Sequence, residues 1–357
     1  MKVVFLYPLA KDAFSYLREN LPEDIKIVAR IREEGPFALQ PNVDPEIVEE
    51  TKTAEILMGP YVTEEILSKA RPEVGGKLKL IFVPWTGVDR LDLSLIKKYN
   101  IPVANSHGNA RTIAEFGIAL LLTAAKNIIH HDQLMRKGDW SSRFRDKPSI
   151  NITGKTVGLL GFGAIGTECA KLLQGFDVKL VACRRTPSKT TTQQKKLAEE
   201  IFAYTDLVQF LNISDIIINS LPLTDETKGF LGKEQFNQMK DGVIMINVGR
   251  GETIEEEAIF EAVKSGKVFA AGLDPQWHYP TSSSPPRKSD GETDVSKKHF
   301  PSIYPIHEFD NVVLSPHRAG HLVEGYERSH WQDVIENILR IYHGKEPINI
   351  IDIEQGY

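Results

Sequence analysis

The chain is poor in cysteine, in charge of one sign and in long apolar runs. Two cysteines, Cys169 and Cys183, stand among 357 residues, with no CxxC spacing and no Cys/His partner. That argues against a disulfide framework or a zinc site and matches the usage of a reducing cytosol. No apolar stretch approaches the roughly 18–20 residues of a membrane-spanning helix. The N-terminal "MKVVFLYPLAKDAF" is interrupted by Pro8, Lys11 and Asp12 and reads as a first strand, not a signal peptide. Basic residues are scattered and the formal net charge is −5, so nothing points to nucleic acid or a membrane surface. His130 and His131 are adjacent, not spaced as a helical metal pair, and no GxSxG elbow occurs. The expectation is a cytoplasmic protein with no bound metal.

What is present is alternation. The hydrophobic share is 41% and the charged share 25%, as in soluble globular chains, and the length suits two domains. Strand-like "KVVFLYP", "IKIVAR", "AEILMG" and "LKLIFVPW" alternate with helix-like "AKDAFSYLREN", "PEIVEETKT" and "TEEILSKA". This βαβ pattern implies a parallel sheet. The segment "RTIAEFGIALLLTAAKNIIHH" predicts one long helix. Thr112 and Glu115 fit a capping box at its start, and its apolar middle implies burial between layers or subunits. From Lys155 six further apolar strands follow, "KTVGLLG", "VKLVAC", "DIIINSLP", "VIMINVG", "KVFAAGLD" and "NVVLSPH". They predict a doubly wound sheet. The last helix, "GYERSHWQDVIENILRIYHG", ends at Gly344. The fold class is α/β, two Rossmann-like domains with parallel sheets. A polar stretch at about 281–300, rich in Ser, Pro and charge, predicts a loop or insertion.

The strand "TVGLLG" runs into Gly161, Gly163 and Gly166 spaced as GxGxxG, and the helical "TECAKLLQG" follows. The first glycine permits the turn, the second lets the backbone approach a pyrophosphate, and the third lets helix and strand pack closely. The helix N-terminus offers unpaired N–H groups to the phosphates. The alternative is a plain tight turn. In an NAD site an acid about 20 positions on binds the ribose. Here the corresponding strand end reads "VACRRTPSK". Arg184 and Arg185 would pair a 2′-phosphate, and Thr186 could add a hydroxyl. The expectation is NADP(H), with NAD(H) possible; the alternative is a solvated strand end.

Three more segments, "LPLTDETKGFL" (221–231), "INVGRGETIEEEAI" (246–259) and "SPHRAG" (315–320), stand in order behind the glycine turn. Together they resemble the D-2-hydroxyacid dehydrogenase family, NAD(P)-dependent enzymes built on two Rossmann-like domains. "VPWTGVDRLDL" (83–93) and "IPVANSHGNARTIAEFGIAL" (101–120) match the family's substrate loop and interdomain helix. The resemblance implies a flavodoxin-like substrate domain from 1–107 and 319–357, a dinucleotide-binding domain from 108–318, substrate bound between them, and a homodimer. It implies Arg250 as anchor for the substrate carboxylate and His317 as general acid/base, chemistry that suits a guanidinium and an imidazole. Trp85, Thr86, Gly87 and Val88 would form the substrate loop. Ala164 and Ile165 would lie on the pyrophosphate turn. Leu221, Pro222 and Thr227 would lie near the adenosine. Val248, Gly249, Asp274 and Gly320 complete the cofactor set, Asp274 bonding either the nicotinamide carboxamide or the backbone around it. Asp89 and Glu115 match family positions that are more often structural than catalytic. The implied activity is interconversion of a small 2-keto acid and a D-2-hydroxy acid. Alternatives are oxidation of an unusual small acid and a non-catalytic NAD(P)-binding sensor or corepressor-like protein.

One position departs from the family pattern. The family carries a Glu five residues after the strand-end Asp, followed by Pro. Here Asp274 is followed at that distance by Tyr279, then Pro280. A phenol, neutral below about pH 10, can orient an imidazole but cannot stabilise an imidazolium as a carboxylate does. If Tyr279 contacts His317, keto-acid reduction should fall off at lower pH than in Glu-bearing relatives. The alternative is a carboxylate from elsewhere, with Glu255, Glu256 and the acids of the insertion as candidates. Trp277 and His278 would line the site or pack the loop.

Overall fold

The computed structural model describes residues 1–32, 44–72, 75–144, 148–280, 298–320 and 326–357, with backbone alone for 326–330. Residues 281–297, most of the expected insertion, lie outside the described residues. The described chain divides into two compact units. One comprises Met1–Asn109 and 326–357, with Pro280 and Lys298; the other comprises Ala110–Tyr279 and 299–320.

The first unit is built on five parallel strands: β1 (Lys2–Phe5), β2 (Lys26–Val28), β3 (Ile56–Met58), β4 (Leu80–Val83) and β5 (Val103–Asn105). Their spatial order is β2-β1-β3-β4-β5, the flavodoxin-like winding. The strands read as near-continuous apolar runs because both faces are covered. On one face Phe5, Met58 and Phe82 meet Ala13 and Leu17 of helix Lys11–Asn20 and Trp331, Val334 and Ile338 of helix Tyr326–Tyr342. On the other, Leu57, Ile81 and Val103 meet Ile66 and Leu67 of helix Glu64–Ala70 and Ile96 of helix Leu93–Tyr99. Each fully buried aliphatic side chain contributes roughly 1.5–3 kcal/mol. The C-terminal tail closes the unit: Ile351 donates its N–H to Val103 O at 2.8 Å.

The second unit carries seven parallel strands: β6 (Thr156–Leu160), β7 (Lys179–Cys183), β8 (Glu200–Phe202), β9 (Ile216–Asn219), β10 (Val243–Asn247), β11 (Val268–Leu273) and β12 (Val312–Leu314). The order is β8-β7-β6-β9-β10-β11-β12. This is the dinucleotide-binding winding with one strand added, and its direction reverses between β6 and β9. The sequence pattern gives six of these strands. It misses β8, whose three residues "EIF" are too short to show a period.

The long helix is two helices. Ala110–Ala125 and Ile128–Arg136 are bent by 66°, because Asn127 takes a left-handed conformation at φ 52°, which Asn tolerates. The expected capping box is absent as well. The helix starts at Ala110, so Thr112 sits within its first turn, and Glu115 accepts from Arg111 Nε at 2.9 Å. Most apolar residues of Ala110–Ala125 are buried within their own unit, with Phe116 and Leu122 half-buried against the same core. Ile113, Ala114, Ile118 and Leu121 pack into the core beneath the sheet, and a Cβ on Gly272 would lie 2.9 Å from that of Leu120. Among the described residues, no single helix is long and apolar enough to cross a membrane.

Candidate functional site

The glycine turn lies where β6 meets helix Ala164–Leu173. Gly161 has φ 92°, and a Cβ there would lie 2.9 Å from Ser220 Oγ; a Cβ on Gly166 would lie 2.2 Å from Gly161 O. Both positions therefore need glycine, one for conformation and one for close helix–strand approach. Gly163 caps the helix, and among the described residues a Cβ there would meet nothing within 4 Å. That open space over a ten-residue helix's N-terminus fits a dinucleotide pyrophosphate.

Arg184 and Arg185 follow β7, next to that turn. Arg184 Nη1 reaches Thr190 Oγ1 and Gln194 Oε1, each at 3.4 Å. Gln194 donates in turn to Phe162 O at 2.9 Å and to Thr167 Oγ1 at 2.8 Å, tying the arginine to the glycine turn. Arg185 forms an ion pair with Glu226. Thr186 begins the short turn Pro187–Lys189. Thr227 Oγ1 donates to Pro222 O at 2.6 Å and accepts from Thr224 N–H at 2.8 Å, so its hydroxyl pins its own loop. Leu221 and Val248 are buried in the core, which leaves their backbone as the part that can face a ligand. Gly249 approaches Leu221 so closely that a Cβ would sit 2.5 Å from its carbonyl oxygen.

Three neighbouring strands, β10, β11 and β12, deliver Arg250, Tyr279 and His317 past their carboxyl ends. Arg250 has its backbone carbonyl fixed by Asn247 Nδ2 at 3.0 Å and Thr253 Oγ1 at 2.7 Å, and its Nη1 donates to Gly249 O at 2.9 Å. Next to it, a Cβ on Gly251 would lie 2.4 Å from Gln276 O, so the "VGRG" turn and the Tyr279 segment pack backbone to backbone. His317 sits at φ 58°, a conformation unusual for a non-glycine residue. Asp274 holds it there. Its carbonyl accepts the His317 N–H at 3.0 Å, and its carboxylate accepts Ser315 Oγ and Arg318 N–H at 2.7 Å and Ala319 N–H at 3.1 Å. Of the two roles open to Asp274, the carboxylate serves the surrounding backbone.

Tyr279 Oη lies 3.0 Å from His317 Nδ1 and accepts the Gln276 N–H at 3.0 Å. The phenol keeps its hydrogen and a second lone pair for Nδ1, so this contact forms with either tautomer of the ring. Burial pushes the phenol above its ordinary range, while the Gln276 N–H and the nearby Arg250 charge pull it down. Gln276 also donates from Nε2 to Leu273 O and Ser315 O, each at 2.9 Å, buckling the Tyr279 segment to the turn that carries His317. Gln276, Gln194 and Glu226 are contributors that the sequence motifs do not flag.

The other candidates near this segment are engaged elsewhere. Glu256 binds His278 Nε2, Ser302 Oγ and Ile303 N–H, and Glu255 lies against Gly229 and Gly232. The acids of the insertion lie outside the described residues. Trp277 donates to Ile254 O at 2.7 Å and packs on the core, so it and His278 secure the loop. Cys169 and Cys183 are buried, and burial pushes both thiols up to about 12, which leaves them inert.

In the first unit, Trp85–Val88 follow β4. Thr86 O accepts Asn105 Nδ2 at 2.6 Å, and Thr86 Oγ1 bonds Asn109 at 2.9 Å. Trp85 packs against Tyr7 with ring centroids 5.7 Å apart, and the Val88 side chain is core. His107 donates its N–H to Asp333 at 2.6 Å; burial holds its imidazole below the usual range, opposed by the Asp333 charge.

Residues 118–319 match the family model described as D-isomer specific 2-hydroxyacid dehydrogenase, NAD binding domain. A hydroxypyruvate reductase from Thermotoga maritima is 32% identical, over 90% of this chain and 92% of that protein. A D-3-phosphoglycerate dehydrogenase from Archaeoglobus fulgidus is also 32% identical, over 89% of this chain; the match spans about half, 53%, of that relative's length. A crystal structure of a protein from Pyrococcus horikoshii OT3 aligns with a TM-score of 0.74 at 26% identity, covering 98% of this chain and 95% of that one.

Proposed function

The chain belongs to the D-isomer specific 2-hydroxyacid dehydrogenase family of NAD(P)-dependent oxidoreductases, and on that premise we propose that it reduces a small 2-keto acid, of the glyoxylate and hydroxypyruvate type, to the D-2-hydroxy acid with NADPH preferred. The observation that carries this reading is the trio on β10, β11 and β12: a guanidinium, and an imidazole held in an unusual backbone conformation with its Nδ1 bonded to a phenol.

Reduction breaks the C=O π bond and forms one C–H and one O–H bond. When bound, a reduced nicotinamide supplies the hydride. Arg250 pairs its forked guanidinium with the substrate carboxylate and polarises the carbonyl. Protonated His317 gives a proton from Nε2 to the oxygen as charge develops there and is left neutral with its proton on Nδ1. Tyr279 Oη accepts from Nδ1–H before and after that transfer. The Trp85–Val88 loop is assigned to substrate recognition by family resemblance. The dinucleotide is assigned to Gly161–Gly166, Arg184–Thr186, the 221–227 loop, Val248, Gly249 and Gly320, with Asp274 supporting the His317 turn beside it. The domain roles follow: cofactor on the second unit, substrate recognition on the first.

We extend the proposal to a homodimer. Helix Ile128–Arg136 buries none of its residues, and Ile128, Ile129, Met135, Trp140 and Phe144 are all exposed. A second copy of this surface would cover them.

The test is a panel of glyoxylate, hydroxypyruvate, pyruvate and larger keto acids with NADPH or NADH, followed at the nicotinamide absorbance. Turnover of a small keto acid with NADPH is expected; no turnover with any of them would leave a binding role only. Arg184→Asp should raise the KM for NADPH about tenfold or more by placing a carboxylate beside the 2′-phosphate. An unchanged KM would mean that Arg184 takes no part. Tyr279→Glu should extend keto-acid reduction to higher pH, since a carboxylate stabilises the imidazolium. A wild-type upper limb near or above about pH 8.5, well past an ordinary imidazole, would contradict the Tyr279 assignment.

A further inference from the structure

The strand-end acid that β7 lacks in sequence is supplied in space by another loop. Glu226 comes from the segment after β9, where the Thr227 hydroxyl, bonded to Pro222 O and Thr224 N–H, fixes the loop's course. Its carboxylate pairs with Arg185, with side-chain exposure of 18% for the arginine and 48% for the glutamate. Counting arginines at the strand end therefore overstates the positive charge available to a 2′-phosphate. Arg184 bonds Thr190 and Gln194; Arg185 is paired with a carboxylate.

We propose that Glu226 is the residue that sets cofactor choice, holding Arg185 against a 2′-phosphate and so keeping NADH an acceptable cofactor beside NADPH. The inference rests on the reductase reading, which places the adenosine ribose at this strand end. NADPH brings a phosphate of nearly two negative charges beside the Glu226 carboxylate and must compete with it for the Arg185 guanidinium. NADH brings only hydroxyls. These can donate to the carboxylate, as they do to a strand-end acid in an NAD site. Arg184 gives NADPH its advantage, and Glu226 limits it.

The experiment is a binding titration by cofactor fluorescence, without substrate, of NADPH and NADH to the wild-type chain, Glu226→Gln and Glu226→Asp. Glu226→Gln keeps the size of the side chain and removes the charge. It should tighten NADPH and leave NADH the same or weaker, raising the NADPH:NADH affinity ratio by roughly threefold to tenfold, the scale of a part-exposed charge pair. Glu226→Asp keeps the charge but withdraws it from Arg185, and should give an intermediate ratio. If both dinucleotides bind and the ratio in Glu226→Gln equals that of the wild type, the inference is overturned while the reductase reading stands. If the wild-type chain binds neither, both fall.

Discussion

His317→Asn is expected to lower kcat for keto-acid reduction by about 10²- to 10⁴-fold, the range for loss of a positioned general acid, while the affinity for NADPH changes little. Asparagine is the informative replacement because residue 317 sits at φ 58°. Among residues other than glycine, Asn accepts that conformation most readily. The bonds from the His317, Arg318 and Ala319 N–H groups to Asp274 can then persist, and the loss reports on the imidazole alone. Full activity in this variant would remove His317 from the reaction. Loss of cofactor binding along with activity would mean that the turn itself had collapsed.

Arg250→Gln is expected to cost about 10²- to 10³-fold in kcat/KM, the scale for removing one donor from a charge-stabilising site, with a large part as a raised KM for the keto acid. Arg250→Lys should recover only part of this, since an ammonium cannot present a planar fork to a carboxylate. The backbone at 250 is held by Asn247 and Thr253 and does not depend on the guanidinium, so both variants should fold. A KM change for the dinucleotide instead of the keto acid would reassign the residue to cofactor binding.

Much of this architecture was legible in the sequence. Alternating apolar runs gave the strands of both sheets apart from β5 and β8, and the glycine spacing located the turn that needs residues without a Cβ at 161 and 166. Counting five residues from Asp274 put Tyr279 at the histidine's partner position, and the structure records that contact. The second bond to the phenol was not legible: it comes from the Gln276 N–H, a backbone donor whose aim only the folded turn defines. The break at Asn127 was missed because "TAAKNIIHH" keeps a helical composition across a residue that turns left-handed. The Glu115 carboxylate was expected in a capping box and instead pairs with Arg111 one helical turn away. Glu226 and Arg185 stand 41 positions apart (226 − 185) and meet only because β7 and β9 both flank β6. Local periodicity thus reads elements and motif spacing, whereas charge pairing across loops belongs to the fold.

The most direct measurement is the configuration of the product when the purified protein reduces hydroxypyruvate with NADPH, resolved on a chiral column. Hydroxypyruvate is chosen because its product, unlike that of glyoxylate, has a stereocentre. The account predicts glycerate of the D configuration alone, formed with one NADPH consumed per molecule and reduced at least a hundredfold in rate by His317→Asn. Racemic or L-glycerate, or no glycerate from active, cofactor-binding protein, would contradict it.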